Sequence, residues 1–193
     1  MYIRMATEAD APGVGAVYGP IVESTAISFE LVVPYIAEMA ERIAARQPTY
    51  PFLVLEEAGS VAGYAYAGRF SSRSAYDWSV ESSVYVAEWA RGRGVGKALY
   101  VALFEILAHQ GCRRVMAGIA LPNPASVALH EGVGFTPVGV YRAVGWKFGA
   151  WHDVGWWQRG WARQRCRQGP GSLHRPPRRL LEAAFEAGHR SLG

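Results

Sequence analysis

The densest chemistry in the sequence is the run Arg91-Gly92-Arg93-Gly94-Val95-Gly96-Lys97. Its three glycines carry no side chain to hold a ligand away from the backbone, and two arginines and a lysine add positive charge. Strand formers precede it at Val84-Tyr85-Val86, and behind it Val95, Leu99, Leu103, Ile106 and Leu107 repeat at helical spacing. A glycine turn between strand and helix leaves backbone N–H groups free at the positive end of the helix, a chemistry suited to phosphate or pyrophosphate. No Gly-Lys-Ser/Thr ending follows, so the run is not a Walker A loop, and the third glycine of a Gly-x-Gly-x-x-Gly dinucleotide fingerprint is missing. Taken alone, the run reads equally well as a phosphate cradle and as a structural turn.

Other reactive types are scarcer. Cys112 follows Gly111 with no base near it in sequence, so nucleophilic thiol chemistry is not expected. Cys112 and Cys166 have neither metal nor redox spacing, no metal site is expected, and a reduced cytoplasmic setting is the simplest reading.

The elements that must position these groups follow from pattern. Tyr2-Ile3-Arg4 reads as a strand, and Thr7 to Asp10 as a helix start followed by Val14, Val17, Tyr18 and Ile21 at helical spacing. A short strand is expected over 26–30, then a helix over 35–46 with Pro34 as its first residue. Phe52 to Glu56 and Val61 to Ala67 read as a hairpin, followed by a polar loop over 69–76 and a strand over 81–86. Gly111 ends the helix behind the glycine run; a strand over 114–119, a short helix from Asn123-Pro124 to Gly132, and late strands over 135–141 and 151–161 complete the pattern. This is a mixed α/β sheet domain.

Composition removes several function classes. The 193 residues suffice for one domain with a sizeable core, and neither a signal peptide nor an apolar run long enough for a membrane span is visible. The net charge of +4 misleads: from Arg159 onward stand eight arginines and two glutamates, leaving 12 basic against 14 acidic residues before it. The basicity belongs to the tail, which weakens any reading of the domain as a nucleic-acid binder. Gly169-Pro170-Gly171 and Pro176-Pro177 mark a linker-like break, the Arg/Pro-rich composition of 162–193 is that of a disordered tail, and 180–187 has the pattern of a short amphipathic helix.

Arg-x-x-Gly-x-Gly behind Val84-Tyr85-Val86 resembles the acetyl-CoA signature of GNAT-family N-acetyltransferases. Ala75-Tyr76-Asp77-Trp78 followed by Glu81-Ser82-Ser83-Val84 resembles the phosphinothricin (methionine sulfoximine/sulfone) acetyltransferase group in particular. So do Ile3-Arg4 with Ala6-Thr7-Glu8-Ala9-Asp10, Ala65-Tyr66-Ala67-Gly68, Leu121-Pro122-Asn123, Leu129-His130-Glu131 and Trp151-His152-Asp153-Val154-Gly155. The resemblance covers 2–161, which it marks as a GNAT domain distinct from the tail at 162–193; beyond Trp161 nothing matches.

The resemblance implies an α/β GNAT fold: a mixed, mostly antiparallel sheet, flanked by helices and splayed where acetyl-CoA enters. The pantetheine arm would lie along Val84, Tyr85 and Val86, the pyrophosphate on Arg91, Gly92, Arg93, Gly94, Val95, Gly96 and Lys97, and Asn123 would bond the arm near the thioester. Transfer to an amine needs a base for the ammonium proton and an acid for the departing sulfur. Glu81 is the implied base and His130 the implied partner facing the sulfur; from the residues alone, Glu81 reads as a strand carboxylate paired with an arginine, and His130 as an ordinary helix histidine. Ser72, Arg73, Ser74, Ser82 and Ser83 would contact the acceptor, with Phe29, Tyr76 and Trp78 as its apolar wall and Arg142 as a further anion partner. Tyr100 reads first as helix packing, and His152-Asp153 as a hydrogen-bonded pair closing the late strands. The implied activity is direct acetylation of a small amino-acid analogue such as phosphinothricin or methionine sulfoximine by a homodimer. The alternatives are another small amine or a protein N-terminus as acceptor, or a non-catalytic acyl-CoA-binding module whose tail engages a partner.

Overall fold

The computed structural model describes residues 1–47, 49–161 and 176–192. Strand β1 (Tyr2–Met5) carries Arg4, whose guanidinium fixes how the chain leaves the sheet. Arg4 donates to both Asp10 carboxylate oxygens at 2.7 and 2.6 Å and to Glu56 at 2.9 Å. Asp10 also accepts the Thr7 N–H at 2.7 Å, completing the capping box, and a short 3-10 turn over Glu8–Asp10 runs directly into α1 (Ala11–Ser24). Helix α1 buries Val14, Val17, Tyr18, Ile21 and Val22. Helix α2 (Ile36–Arg46) buries only Met39 and Ile43, and its Arg42 pairs outward with Glu38 and Glu30.

The remaining strands are β2 (Phe52–Glu57), β3 (Ser60–Arg69), β4 (Ser79–Val86), β5 (Arg114–Leu121), β6 (Thr136–Lys147) and β7 (Ala150–Gly160). They form one seven-stranded sheet in the order β1-β2-β3-β4-β5-β7-β6. All neighbours run antiparallel except β4 and β5, whose parallel pairing stops after Ser79↔Arg114, Val80↔Val115 and Glu81↔Met116. Beyond that point β4 follows β3 and β5 follows β7, so the sheet opens into a V. This is the mixed, splayed sheet that the resemblance implies. Helix α3 (Val95–His109) covers β2 to β4 on one face with fully buried Ala98, Leu99, Leu103, Ile106 and Leu107, while α1 packs on the other face. Helix α4 (Pro124–Gly132) follows β5.

Four sequence expectations are corrected. Residues 26–30 form no strand: the Ser28 carbonyl and hydroxyl are committed to the Lys147 ammonium and the Tyr18 hydroxyl, and cannot enter a ladder. Helix α2 begins at Ile36 with Tyr35 as its cap, two residues after Pro34. The first of the late strands, β6, runs on to Lys147 instead of ending at Tyr141, because it pairs with β7 through a tight turn at Phe148 and Gly149, both at positive φ. The linker residues 162–175 lie outside the described residues, but from Pro176 the chain rejoins the domain as α5 (Arg178–Arg190), which packs on α3 and β1 rather than standing apart as a tail. The cause is its apolar face, with Ala184 buried and Leu181 and Phe185 against the core. No helix among the described residues is long and apolar enough to cross a membrane.

The Arg4 guanidinium holds the Asp10 carboxyl below the usual carboxylate range. A carboxylate depressed in the folded state contributes its full stability above its unfolded value and loses it as pH falls through the folded one. Asp10→Asn is expected to cost about 2 kcal/mol at pH 7 in urea unfolding, with the difference from wild type shrinking toward zero as pH falls through the depressed Asp10 value. A difference that stays constant across that range would remove Asp10 from this role.

Candidate active site

The V between β4 and β5 is a narrow cleft of about 50 Å³, closed on one side by α4. From Ser82 onward the β4 edge faces this gap instead of a neighbouring strand, and Ser82, Ser83, Val84 and Tyr85 line it opposite Gly118, Ile119 and Ala120 of β5. Alternate β4 side chains leave on opposite faces of the sheet. Tyr85 points toward α1, its ring 5.0 Å from Tyr18 and 5.2 Å from Tyr64, so it offers the cleft backbone and not its hydroxyl. Ser82, expected to meet the acceptor, points instead toward α3, where its hydroxyl lies 3.5 Å from the Tyr100 oxygen and 3.4 Å from the Met116 carbonyl.

Glu81 occupies the crotch of the V, opposite Met116 in the last β4–β5 pair. It is partly buried, no ion pair holds it among the described residues, and burial alone pushes its carboxyl above the usual range. The arginine partner of the simpler reading is therefore missing among the described residues, and the carboxyl has the character of a base.

The glycine turn opens α3. Gly94 is the helix cap, at φ 77°, a left-handed conformation that favours glycine. The three glycines are not interchangeable in the way a phosphate cradle alone would require. Only Gly92 has no described atom within 4 Å on its Cβ side; a Cβ at Gly96 would stand 2.8 Å from Leu129 Cδ2, so this glycine seats α4 on α3. Arg91 and Lys97 are exposed beside the turn. Arg93, expected to meet phosphate, is instead held bidentately by Glu57 at 2.8 and 2.9 Å, and Val95 is a core residue that can contribute only its N–H.

Asn123 caps α4: its side-chain oxygen accepts the Ser126 N–H at 3.1 Å, which leaves its amide N–H groups for the cleft it lines. His130 also lines the cleft, though only 4% exposed. Its Nδ1 lies 2.7 Å from the Ser126 carbonyl, an oxygen that only accepts, so the proton sits on Nδ1. Burial holds this imidazole below its usual pKa, and neutral Nε2 then accepts the Tyr100 hydroxyl at 2.8 Å. The result is a buried chain Ser126–His130–Tyr100–Ser82 that ends at the β4 wall. Tyr100, fully buried, is the link that sequence reasoning undervalued. Its signal was an aromatic hydroxyl on an otherwise apolar helix face, which buries only with a partner.

The loop expected to bind the acceptor is not brought to this cleft. Ser72, Arg73, Ser74 and Tyr76 are exposed and line none of it. The Tyr76 ring rests edge-on against Phe70 at 5.8 Å. The Trp78 carbonyl accepts the Arg113 and Arg114 N–H groups at 2.7 and 3.3 Å, clamping the start of β5. Arg142 is paired with Asp153 at 2.6 Å rather than free for an anion. His152 and Asp153 do not bond each other: His152 Nε2 donates to the Lys147 carbonyl at 3.0 Å, and Asp153 accepts the Ala143 N–H at 2.8 Å.

Comparison with known proteins follows the same outline. Residues 3–156 match the family model described as acetyltransferase (GNAT) domain. Phosphinothricin N-acetyltransferase from Streptomyces viridochromogenes is 44% identical over 81% of this chain and 86% of its own. The L-methionine sulfoximine/L-methionine sulfone acetyltransferase of Pseudomonas paraeruginosa is 40% identical over 79% and 90%. The crystal structure of a GNAT superfamily phosphinothricin acetyltransferase from Sinorhizobium meliloti, in complex with AcCoA, superposes with a TM-score of 0.78 at 39% identity, covering 82% of this chain and 86% of that one.

Lys147 is a supporting residue outside the cleft that the sequence did not reveal. Only 3% exposed, it donates to the Val22 and Ser28 carbonyls, both at 2.7 Å, and so ties the β6–β7 hairpin to the end of α1 and the loop beyond it. That loop carries Ile27, which lines the cleft, and Phe29, expected in the acceptor wall. Phe29 packs where any side chain at Gly145 would run into its ring, 6.1 Å from His152. Lys147→Met leaves two buried carbonyls unpaired, a loss of about 2 kcal/mol that corresponds to a Tm lower by roughly 4–8 °C. Hydrogen exchange is expected to speed up across 23–32 while α3 stays protected; unchanged exchange there would show that Lys147 does not hold the loop.

Proposed function

From the acetyltransferase (GNAT) family, to which this chain belongs, we propose that it transfers the acetyl group of acetyl-CoA to the primary amine of a small amino-acid analogue such as phosphinothricin or methionine sulfoximine. It is an acetyl-CoA-dependent N-acetyltransferase. The acceptor class rests on one observation, the 44% and 40% identity across about four-fifths of the chain to enzymes named for those compounds.

Acetyl-CoA supplies an activated acetyl thioester; the chain supplies its orientation and the handling of protons. The open β4 edge over Val84, Tyr85 and Val86 takes the extended arm as a strand takes a partner. The α3 start, with Gly92, the Gly94 cap, Arg91 and Lys97, suits the pyrophosphate. Glu81 accepts the ammonium proton, directly or through a water, and the freed amine attacks the thioester carbonyl in a direct transfer; the C–S bond breaks, and the departing CoA thiolate takes up the second nitrogen proton as the amide forms. His130 assists through Tyr100, whose hydroxyl donates to His130 Nε2 and accepts from Ser82 at the cleft wall. The Ser72, Arg73, Ser74, Tyr76 and Trp78 loop retains its proposed place on the acceptor side by analogy and by its position just before β4.

We also place the enzyme in the cytoplasm, which the free Cys112 thiol fits, and infer a homodimer. Pairing is favoured by the β6–β7 hairpin, which exposes Tyr141, Val144, Trp146, Phe148 and Trp151 together.

The test is CoA thiol release with a panel of amines. Turnover confined to phosphinothricin, methionine sulfoximine and methionine sulfone is the expected result; turnover only with polyamines or peptides would replace the acceptor, and coenzyme binding without turnover would favour the binding-module reading. Glu81→Gln is expected to lower kcat by about 10²–10⁴-fold with acetyl-CoA affinity unchanged. In wild type, kcat/KM falls on acidification through the raised Glu81 pKa, because the base must be ionised. An acid limb that persists unchanged in the Glu81→Gln variant would sink that assignment.

A further inference from the structure

Helix α5 lies outside the family match at 3–156, yet it ends at the phosphate loop. It runs along α3 and β1 with Ala184 and Gly188 buried. A Cβ at Gly188 would stand 2.6 Å from both the Ala98 carbonyl oxygen of α3 and Ile3 Cδ1 of β1, so the backbones meet at close approach there. One residue on, His189 Nε2 accepts the Ile3 N–H at 2.7 Å. These contacts deliver Ser191 and Leu192 to the start of α3. The Leu192 Cα and the Ser191 carbonyl oxygen each lie 3.5 Å from the point where a Gly94 Cβ would be.

A turn with three glycines in five residues has little stiffness of its own, and its N–H groups bind an anion best when they already converge. Among the described residues it is also held by the half-exposed Arg93–Glu57 pair, by the Gly94 carbonyl, which accepts the Ala98 N–H, and by the packing of Gly96 against Leu129 and Val86. Among the described residues no backbone hydrogen bond joins the N–H groups of 92–97 to Ser191 or Leu192. The contact therefore falls on the Cα side of Gly94 and leaves the donors to a ligand.

We propose that α5 is a positioning element of the coenzyme site: its docking on α3 presets the Gly92–Gly96 turn for the pyrophosphate, and coenzyme binding in return tightens α5. This rests on the reading of that turn as the phosphate site. Coupling between two such sites is reciprocal and runs from about 5- to 150-fold in affinity.

Calorimetry with acetyl-CoA on the full chain tests it without any acceptor. Gly188→Val, which forces α5 off Ala98, is expected to raise Kd by about tenfold. His189→Ala should give a smaller rise, and Arg179→Ala on the exposed face no change. Should Gly188→Val fail to fold, His189→Ala and hydrogen exchange decide. In wild type, acetyl-CoA is expected to slow exchange in both 88–97 and 178–192. Protection of 88–97 alone, with Kd unchanged in the α5 variants, overturns the proposal while leaving the phosphate site intact. No protection of 88–97 overturns the phosphate reading itself. Tighter binding in an α5 variant would mean that the helix occludes the site, and also overturns the proposal.

Discussion

Two parallel strands that share hydrogen bonds for three residue pairs and then part leave a row of backbone donors and acceptors in the middle of a sheet. A buried peptide group without a partner costs about as much as a lost hydrogen bond, so a fold with this opening must keep it accessible to something that can pair. Much of the surrounding structure follows from that requirement. β3 and β7 each hold one arm of the V; α4 walls it; α3 begins at its rim; and burial at its crotch makes the Glu81 carboxyl a weaker acid than usual.

Glu81 and His130 sit in different environments, which is what the proposed division of proton work rests on. The carboxyl has no partner among the described residues and is shifted by burial alone, so it is ready to accept. The imidazole is fully committed, donating to the Ser126 carbonyl and accepting from Tyr100, so it acts on the cleft only through another hydroxyl. One group is thus set by burial and the other by its hydrogen bonds, a difference that residue identity does not disclose.

The sequence revealed those features that local pattern controls. The strand–glycine–helix junction, the Asn123 cap, the Gly111 stop and the capping box at Thr7–Asp10 are each set within a few residues, and the structure carries them. What stayed hidden depends on contacts across long separations. Arg93 looks like a phosphate ligand until Glu57 stands beside it; 26–30 looks like a strand until a lysine more than a hundred residues away claims the Ser28 carbonyl. The amphipathic helix over 180–187 shows in the spacing, but within an Arg/Pro-rich tail its docking does not show until Ala184 and Gly188 find α3. None of these partners is implied by spacing, because in each case the chain must fold before the pair exists.

Helix α5 also changes what the two margins of the sheet can do. β1 is one margin, and the outward N–H of Ile3 is capped by His189. β6 is the other, with its apolar residues uncovered. A sheet with both margins bare can add copies without end, which is the geometry of a fibre. With one margin closed by its own C-terminal helix, this chain keeps a single margin for edge-to-edge contact. Any edge-to-edge contact through the sheet is therefore left to β6, while the helix that meets the start of α3 covers the opposite margin.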